Sequence, residues 1–310
     1  MSISARPTAT KSILEQRQPI PLSDPALQIN HGIPYGVSPM SGSHDFSSRI
    51  VSHMVDSVCG STAQLDPFPH VIVGNFFPPD VYDDLLDFLP ADSQYEKFGY
   101  AKFHTKDGAS NRMRFQMADR WLDRLSSAQR TFWISVRQAL GSNLLKRAVF
   151  AKVSGGLAFR FGMPEFEAAD LDAYALPELF REFSCYRIKP HPDTRRKVVT
   201  MQISLPRDDS QPELGTEFYR RSLNPMHLMR EPHGFEVVKC TPYVRNSAYA
   251  FSVLNKITWK SWHGRSTLPA SNVVRNTILN IWYLSQADAN QDVYRKAGDR
   301  EDSLVRSAAA

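Results

Sequence analysis

Tyr186-Arg187-Ile188-Lys189-Pro190-His191-Pro192-Asp193, followed by Val198-Val199-Thr200-Met201-Gln202-Ile203-Ser204-Leu205, is the stretch on which the reading of this chain turns. In the second half Val199, Met201, Ile203 and Leu205 alternate with Val198, Thr200, Gln202 and Ser204, the period of two expected of a strand. In the first half His191 and Asp193 are two residues apart, so in extended backbone their side chains point to the same side and can meet one ion. Pro192, between them, points away.

Similar strand-like runs surround this stretch. Phe183–Lys189, Glu236–Cys240, Ala248–Val253 and Val273–Leu284 read as strands, as does Pro67–Val73 near the start of regular structure. Helical patterns come earlier. Pro78-Pro79-Asp80 favours a helix start, with Val81, Leu85 and Leu86 on one face and Pro90 stopping it. Ser126 caps a second helix over 127–140, where Phe132, Val136 and Leu140 recur at helical spacing before Gly141. Further helices are expected around 142–155 and 169–181. Helices first and clustered strands afterwards predict an α+β fold, with helices packed outside an antiparallel double sheet of jelly-roll type.

Residues 1–63 read as a polar extension, partly disordered or a lid, apart from a short amphipathic helix at Ser47–Val58 carrying Ile50, Val51, Met54 and Val58. The domain spans 64–285, and 286–310 form a polar tail. At 310 residues, 42% hydrophobic and 22% charged, with net charge +5, the composition is that of an ordinary soluble protein able to bury a core. Arg195-Arg196-Lys197 is too short for a nucleic-acid arm. Cys59, Cys185 and Cys240 form no CxxC pair, which argues against a zinc ribbon or a disulfide scaffold and for a reducing, cytoplasmic setting. No apolar run is long enough to span a bilayer.

The third partner for His191 and Asp193 is His263, in Ser261-Trp262-His263-Gly264. Two imidazoles and one carboxylate can hold one face of Fe(II) and leave positions open, which suits oxygen activation better than four-ligand structural zinc. Twelve residues past His263, Arg275 shares a strand face with Thr277, and a guanidinium with a neighbouring hydroxyl can grip a carboxylate. The other histidines, including His70, His104, His227 and His233, lack such partners and read as structural or exposed.

These residues resemble the Fe(II)/2-oxoglutarate-dependent oxygenase superfamily over roughly 67–285, with an opening segment, Pro67–Pro90, similar to that of bacterial members related to prolyl hydroxylases. The resemblance is carried by Tyr186–Asp193, the strand Val198–Leu205 with Pro206, Leu214-Gly215-Thr216, Pro242–Phe251, Ser261–Gly264 and Arg275-Asn276-Thr277. It implies a double-stranded β-helix with supporting N-terminal helices, and His191, Asp193 and His263 as iron ligands. Arg275, supported by Thr277, would bind the distal carboxylate of the cosubstrate 2-oxoglutarate, with Tyr186 and then Gln202 as weaker candidates.

The implied reaction uses O2 and 2-oxoglutarate, releases succinate and CO2, and hydroxylates an unactivated C–H bond. The expected substrate is a small molecule, anionic or amino-acid-like; a peptidyl hydroxylase and a catalytically silent jelly-roll binding protein are the alternatives. Asp193 departs from halogenase relatives, which carry a small residue there. Ile281 stands where nucleic-acid demethylases resembling this site carry a second arginine, so no nucleic-acid partner is expected, and no membrane. Phe218–Gly234, with Arg220, Arg221 and Arg230, is a candidate loop over the cavity, and Asn111–Phe115 a second candidate substrate segment.

Overall fold

The computed structural model describes residues 41–97, 110–269 and 274–290. It begins with helix α1 (Ser41–Gly60), whose Ile50, Met54 and Val58, four residues apart, are fully buried. The helix is longer than the pattern predicted, and this stripe packs into the main core with α4 and α5. Short strands β1 (Ala63–Gln64) and β2 (His70–Val73) follow, then α2 (Pro79–Asp87) with proline in its first turn and Asp80 paired to Arg49 of α1 at 2.6 Å. Next come β3 (Glu96–Lys97), β4 (Arg112–Gln116) and α3 (Asp119–Leu122). Helix α4 (Ser127–Leu140) starts in a capping box: Ser126 Oγ accepts from the Gln129 amide while Gln129 Oε1 accepts from the Ser126 amide. Helices α5 (Asn143–Lys152) and α6 (Ser154–Phe161) complete the layer.

The second half is strand: β5 (Tyr174–Glu182), β6 (Ile188–His191), β7 (Lys197–Ser204), β8 (Glu217–Arg221), then short helix α7 (Pro225–Met229), β9 (Phe235–Cys240), β10 (Ala248–Ser252), β11 (His263–Arg265) and β12 (Arg275–Tyr283). Two expectations are corrected. The helix expected over 169–181 is a 3-10 turn at Glu165–Asp170 and then strand β5. That segment lies between β4 and β12, and Pro177, a poor helix residue, falls just past the point where pairing to β4 ends. The strand expected at Phe183–Lys189 is mostly a turn, with Cys185 at φ 65°, before β6 begins at Ile188.

All strand pairs among the described residues are antiparallel. The major sheet runs β1-β2-β10-β7-β12-β5-β4-β3 and the minor sheet β6-β11-β8-β9, a double-stranded β-helix with helices on one side. The two faces of the major sheet differ as the alternation requires. Val199, Met201, Ile203, Ala248, Ala250, Ile278 and Trp282 meet the helices in one apolar core. The other face meets the minor sheet: Phe218 of β8 packs on Tyr249 and Phe251 of β10 at 5.7 and 5.9 Å between ring centroids. His70 lies fully buried at this junction, its Nδ1–H donating to the Phe68 carbonyl at 2.7 Å.

Candidate active site

His191 ends β6, Asp193 follows two residues later, and His263 opens β11; the strand register sets His263 directly across from His191. Such closeness depends on the next residue. A Cβ on Gly264 would lie 2.6 Å from the Ile188 carbonyl oxygen, so only glycine lets β11 lie this near β6. The two imidazole centroids are 4.5 Å apart, and one ligand atom from each of the three residues lies within 4.8 Å of the others.

The protonation pattern follows from the partners. His191 Nδ1–H donates to the Lys189 carbonyl at 2.9 Å and His263 Nδ1–H to the Ser261 carbonyl at 3.0 Å, so each Nε2 carries the lone pair. Burial, with His263 nearby, pushes His191 down to about 3, and burial lowers His263 as well. Burial alone would raise the Asp193 carboxyl, but Lys197 and the two histidines outweigh it and hold it well below the usual carboxylate range. Two neutral imidazoles beside an ionised carboxylate are the protonation states a divalent ion needs. Lys197 Nζ donates to Asp193 Oδ1 at 2.6 Å and Thr200 Oγ1 to Oδ2 at 2.7 Å, which fixes the carboxylate. The backbone behind it is also held: Asn255 Nδ2 donates to the Asp193 carbonyl at 3.0 Å, and Arg160 binds the carbonyls of Arg195, Lys197 and Val253.

The triad opens into a cavity of about 270 Å³ between the sheets, which is also lined by Arg112, Tyr186, Lys197, Gln202, Tyr249 and Arg275. Arg275 and Tyr186 therefore share one chamber with the triad. Thr277, two residues along β12 from Arg275, is buried but is not among the lining residues. Arg275 is 3% exposed and fully engaged. Its Nε donates to the Leu214 carbonyl at 2.6 Å and Nη2 to Thr216 Oγ1 at 3.2 Å, and Nη1 pairs with Glu182. With its amide oriented to donate to Tyr249 Oη at 2.7 Å, Gln202 offers its oxygen to Arg275 Nη2 at 2.5 Å.

The candidate loop arginines lie elsewhere. Arg220 pairs with Asp66 at 2.7 Å, Arg221 stacks on Phe235 and Trp262, and Arg230 is exposed. Of Asn111–Phe115, Arg112 reaches the cavity, Arg114 is buried against Glu96 and Glu178, and Phe115 is core. His104 lies outside the described residues. His233 lines a second cavity of about 400 Å³, which shares Ile188 and Arg265 with the first.

Sequence reasoning assigned no site role to Glu182, Lys197, Thr216 or Tyr249. Tyr249 had a signal, since Ala248-Tyr249-Ala250-Phe251 alternates small and large residues as a filled barrel interior requires. Glu182 had none, because its role depends on strand register.

No protein-family model and no curated protein matches the chain. Solved structures similar to it include a prolyl hydroxylase of Trichoplax adhaerens in complex with a hypoxia inducible factor oxygen degradation domain peptide fragment. That likeness has 12% identity and a TM-score of 0.47, covering 81% of this chain and 97% of that one. Another is a 2OG-Fe(II) oxygenase family oxidoreductase from Burkholderia pseudomallei, at 12% identity and TM-score 0.39, with 79% and 91% covered. A Pseudomonas putida prolyl-4-hydroxylase is similar at 12% identity and TM-score 0.38, with 76% and 100% covered. At such values the chemistry of the site has to be read from its own residues.

Proposed function

We propose that this protein is an Fe(II)- and 2-oxoglutarate-dependent dioxygenase that hydroxylates a C–H bond of a small, anionic or amino-acid-like molecule. The observation that carries the reading is the placement of His191, Asp193 and His263, with their donor atoms within 4.8 Å, in the same chamber as the buried Arg275. Metal and keto acid together would supply O2 activation, with 2-oxoglutarate converted to succinate and CO2.

The chain's own residues do the rest. The two Nε2 lone pairs and the Asp193 carboxylate would hold the metal. Thr200 and Lys197 keep Asp193 oriented. Arg275 takes the distal carboxylate of the keto acid, with Tyr186, Gln202, Thr216 and Tyr249 around it and Thr277 supporting it from two residues along the same strand. Leu279, Ile281, Phe180 and the tyrosine rings exclude water from the reacting centre. A chamber of about 270 Å³ has room for the keto acid and the reacting end of a small substrate. Lys197 and Arg265 in its walls support an anionic substrate. Ile281, an apolar wall residue, fits poorly with a nucleic-acid substrate.

Among the described residues no helix is long and apolar enough to cross a membrane. The proposal extends to a cytoplasmic location, supported by three exposed free thiols, Cys59, Cys185 and Cys240. The deciding experiment is anaerobic titration with Fe(II) and 2-oxoglutarate, read by the visible metal-to-ligand charge-transfer band. A band in the wild type that His191→Ala abolishes is expected. No band in the wild type, or an undiminished band in the variant, would overturn the assignment.

A further inference from the structure

Arg275 is occupied before any cosubstrate arrives. Across three neighbouring strands, Arg112 of β4, Glu182 of β5 and Arg275 of β12 sit in one transverse row, since the register pairs Arg112 with Glu182 and Glu182 with Arg275. All three side chains point into the chamber wall and are buried, at 9%, 2% and 3% exposure. Glu182 Oε2 pairs with Arg275 Nη1, and Oε1 lies 3.2 Å from Arg112 Nε. Arg112 in turn is stacked over the rings of Phe180 and Tyr186, at 4.3 and 5.3 Å, and the Tyr186 hydroxyl donates to Glu182.

Glu182 thus presents to Arg275 the same chemical group that a keto acid would. A ligand carboxylate arriving at Arg275 meets a site with its charge already neutralised. It can bind only if Glu182 lets go, and a buried carboxylate lets go only if other partners keep it satisfied. Arg112, on the side of Glu182 facing away from Arg275, and the Tyr186 hydroxyl are those partners. Counted as a unit, two arginines and one glutamate leave one net positive charge, enough for one carboxylate end.

Building on the proposed function, we propose that Glu182 is an internal occupant of the carboxylate seat on Arg275, and that Arg112 is the positioning residue that holds Glu182 when a dicarboxylate displaces it. Glu182 then sets the affinity of the seat, and Arg112 acts through Glu182 without touching the ligand.

Calorimetric titration of the full-length protein, loaded with Mn(II) and kept anaerobic, with 2-oxoglutarate tests this without turnover. Glu182→Gln should bind at least about tenfold tighter than wild type, because the competing charge is gone while Arg112 keeps an acceptor. Arg112→Gln should bind about tenfold more weakly, since Glu182 can no longer leave Arg275 without being stranded. In the double variant Glu182→Gln/Arg112→Gln the penalty of the arginine change should vanish, the signature of action through Glu182.

Unchanged or weaker binding in Glu182→Gln overturns the proposal. So does an Arg112→Gln penalty that persists in the Glu182→Gln background, which would make Arg112 a direct ligand contact. If Glu182→Gln does not fold, Glu182→Asp draws the carboxylate back by one methylene; it should bind more tightly than wild type, and equal affinity overturns the proposal. Failure of every form, wild type included, to bind 2-oxoglutarate rejects the proposed function and this inference with it. Wild-type binding without the glutamate effect rejects the inference alone.

Discussion

Gly264→Ala is a sharp test of how the triad is assembled, because one methyl group should damage the metal site and spare the fold. The added Cβ would lie 2.6 Å from the Ile188 carbonyl oxygen and 3.1 Å from the carbonyl carbon and oxygen of Lys189, all backbone atoms that cannot rotate away. Ordinary contact begins near 3.4 Å, so β11 and β6 must part by about 0.8 Å. A functional constellation tolerates roughly 0.5 Å of displacement, and His263 and His191 are neighbours of the residues forced apart. Metal affinity should fall about ten- to a hundredfold, as when a ligand's support is lost. Overpacking should cost about 1–3 kcal/mol of stability. The major sheet, which contains neither strand, should keep its structure. Competition of Fe(II) or Co(II) against a chromophoric chelator measures the first effect and thermal denaturation of the metal-free protein the second. Wild-type affinity in Gly264→Ala would refute the claim that glycine sets the spacing of the two histidines.

Two further outcomes test the surrounding structure. Met54→Ala should destabilise by about 2–5 kcal/mol, because α1 packs its buried stripe into the main core; Asp56→Ala, on the exposed side of the same helix, should stay within about 0.5 kcal/mol in the same urea titration. Burial lowers the His70 pKa in the folded protein, so its contribution to stability is present above the unfolded value of 6.5 and is lost as pH falls below it. Lys239, whose Nζ lies 3.1 Å from His70 Nε2, opposes protonation further. His191 and His263 shift the same way, so His70→Gln should reduce the acid-side slope of the metal-free protein without abolishing it; an unchanged slope would count against a neutral buried His70.

The parts of the fold legible in sequence were those with local causes. The alternation of Val198–Leu205 gave β7 and the split between its two faces, and Ser126 marked the start of α4 to the residue. His191, Asp193 and His263 could be proposed together because the spacing of the first two is local and the third lies shortly before a strand carrying Arg275 and Thr277. What stayed hidden depended on register or on partners far along the chain. Tyr174–Glu182 has no clear period, since Glu178 and Glu182 are buried beside arginines of β4 and Leu179 on the opposite face is buried against the helices. Buried glutamates in such a run look like the solvent face of a helix until their partners are known. Arg275 could be singled out from its distance to His263, whereas its pairing with Glu182, 93 residues away, follows only from β5 lying beside β12.

The same sheet must supply both stability and chemistry, and it separates them by face. On the helix side each fully buried Val, Ile or Met stabilises by about 1.5–3 kcal/mol relative to exposure. On the chamber side Asp193, Lys197, Glu182, Arg112 and Arg275 are charges taken out of water, whose mutual attraction at best offsets their desolvation. An apolar chamber would make a more stable protein with nothing to bind an ion or a carboxylate. The charges survive because each has a partner: Arg112 with Glu182 and Glu182 with Arg275 across neighbouring strands, and Lys197 with Asp193 four residues before it in the chain. That pairing also makes the site responsive. A ligand entering the chamber cannot add a charge without redistributing the partners already there, so its affinity is set by how readily those pairs exchange.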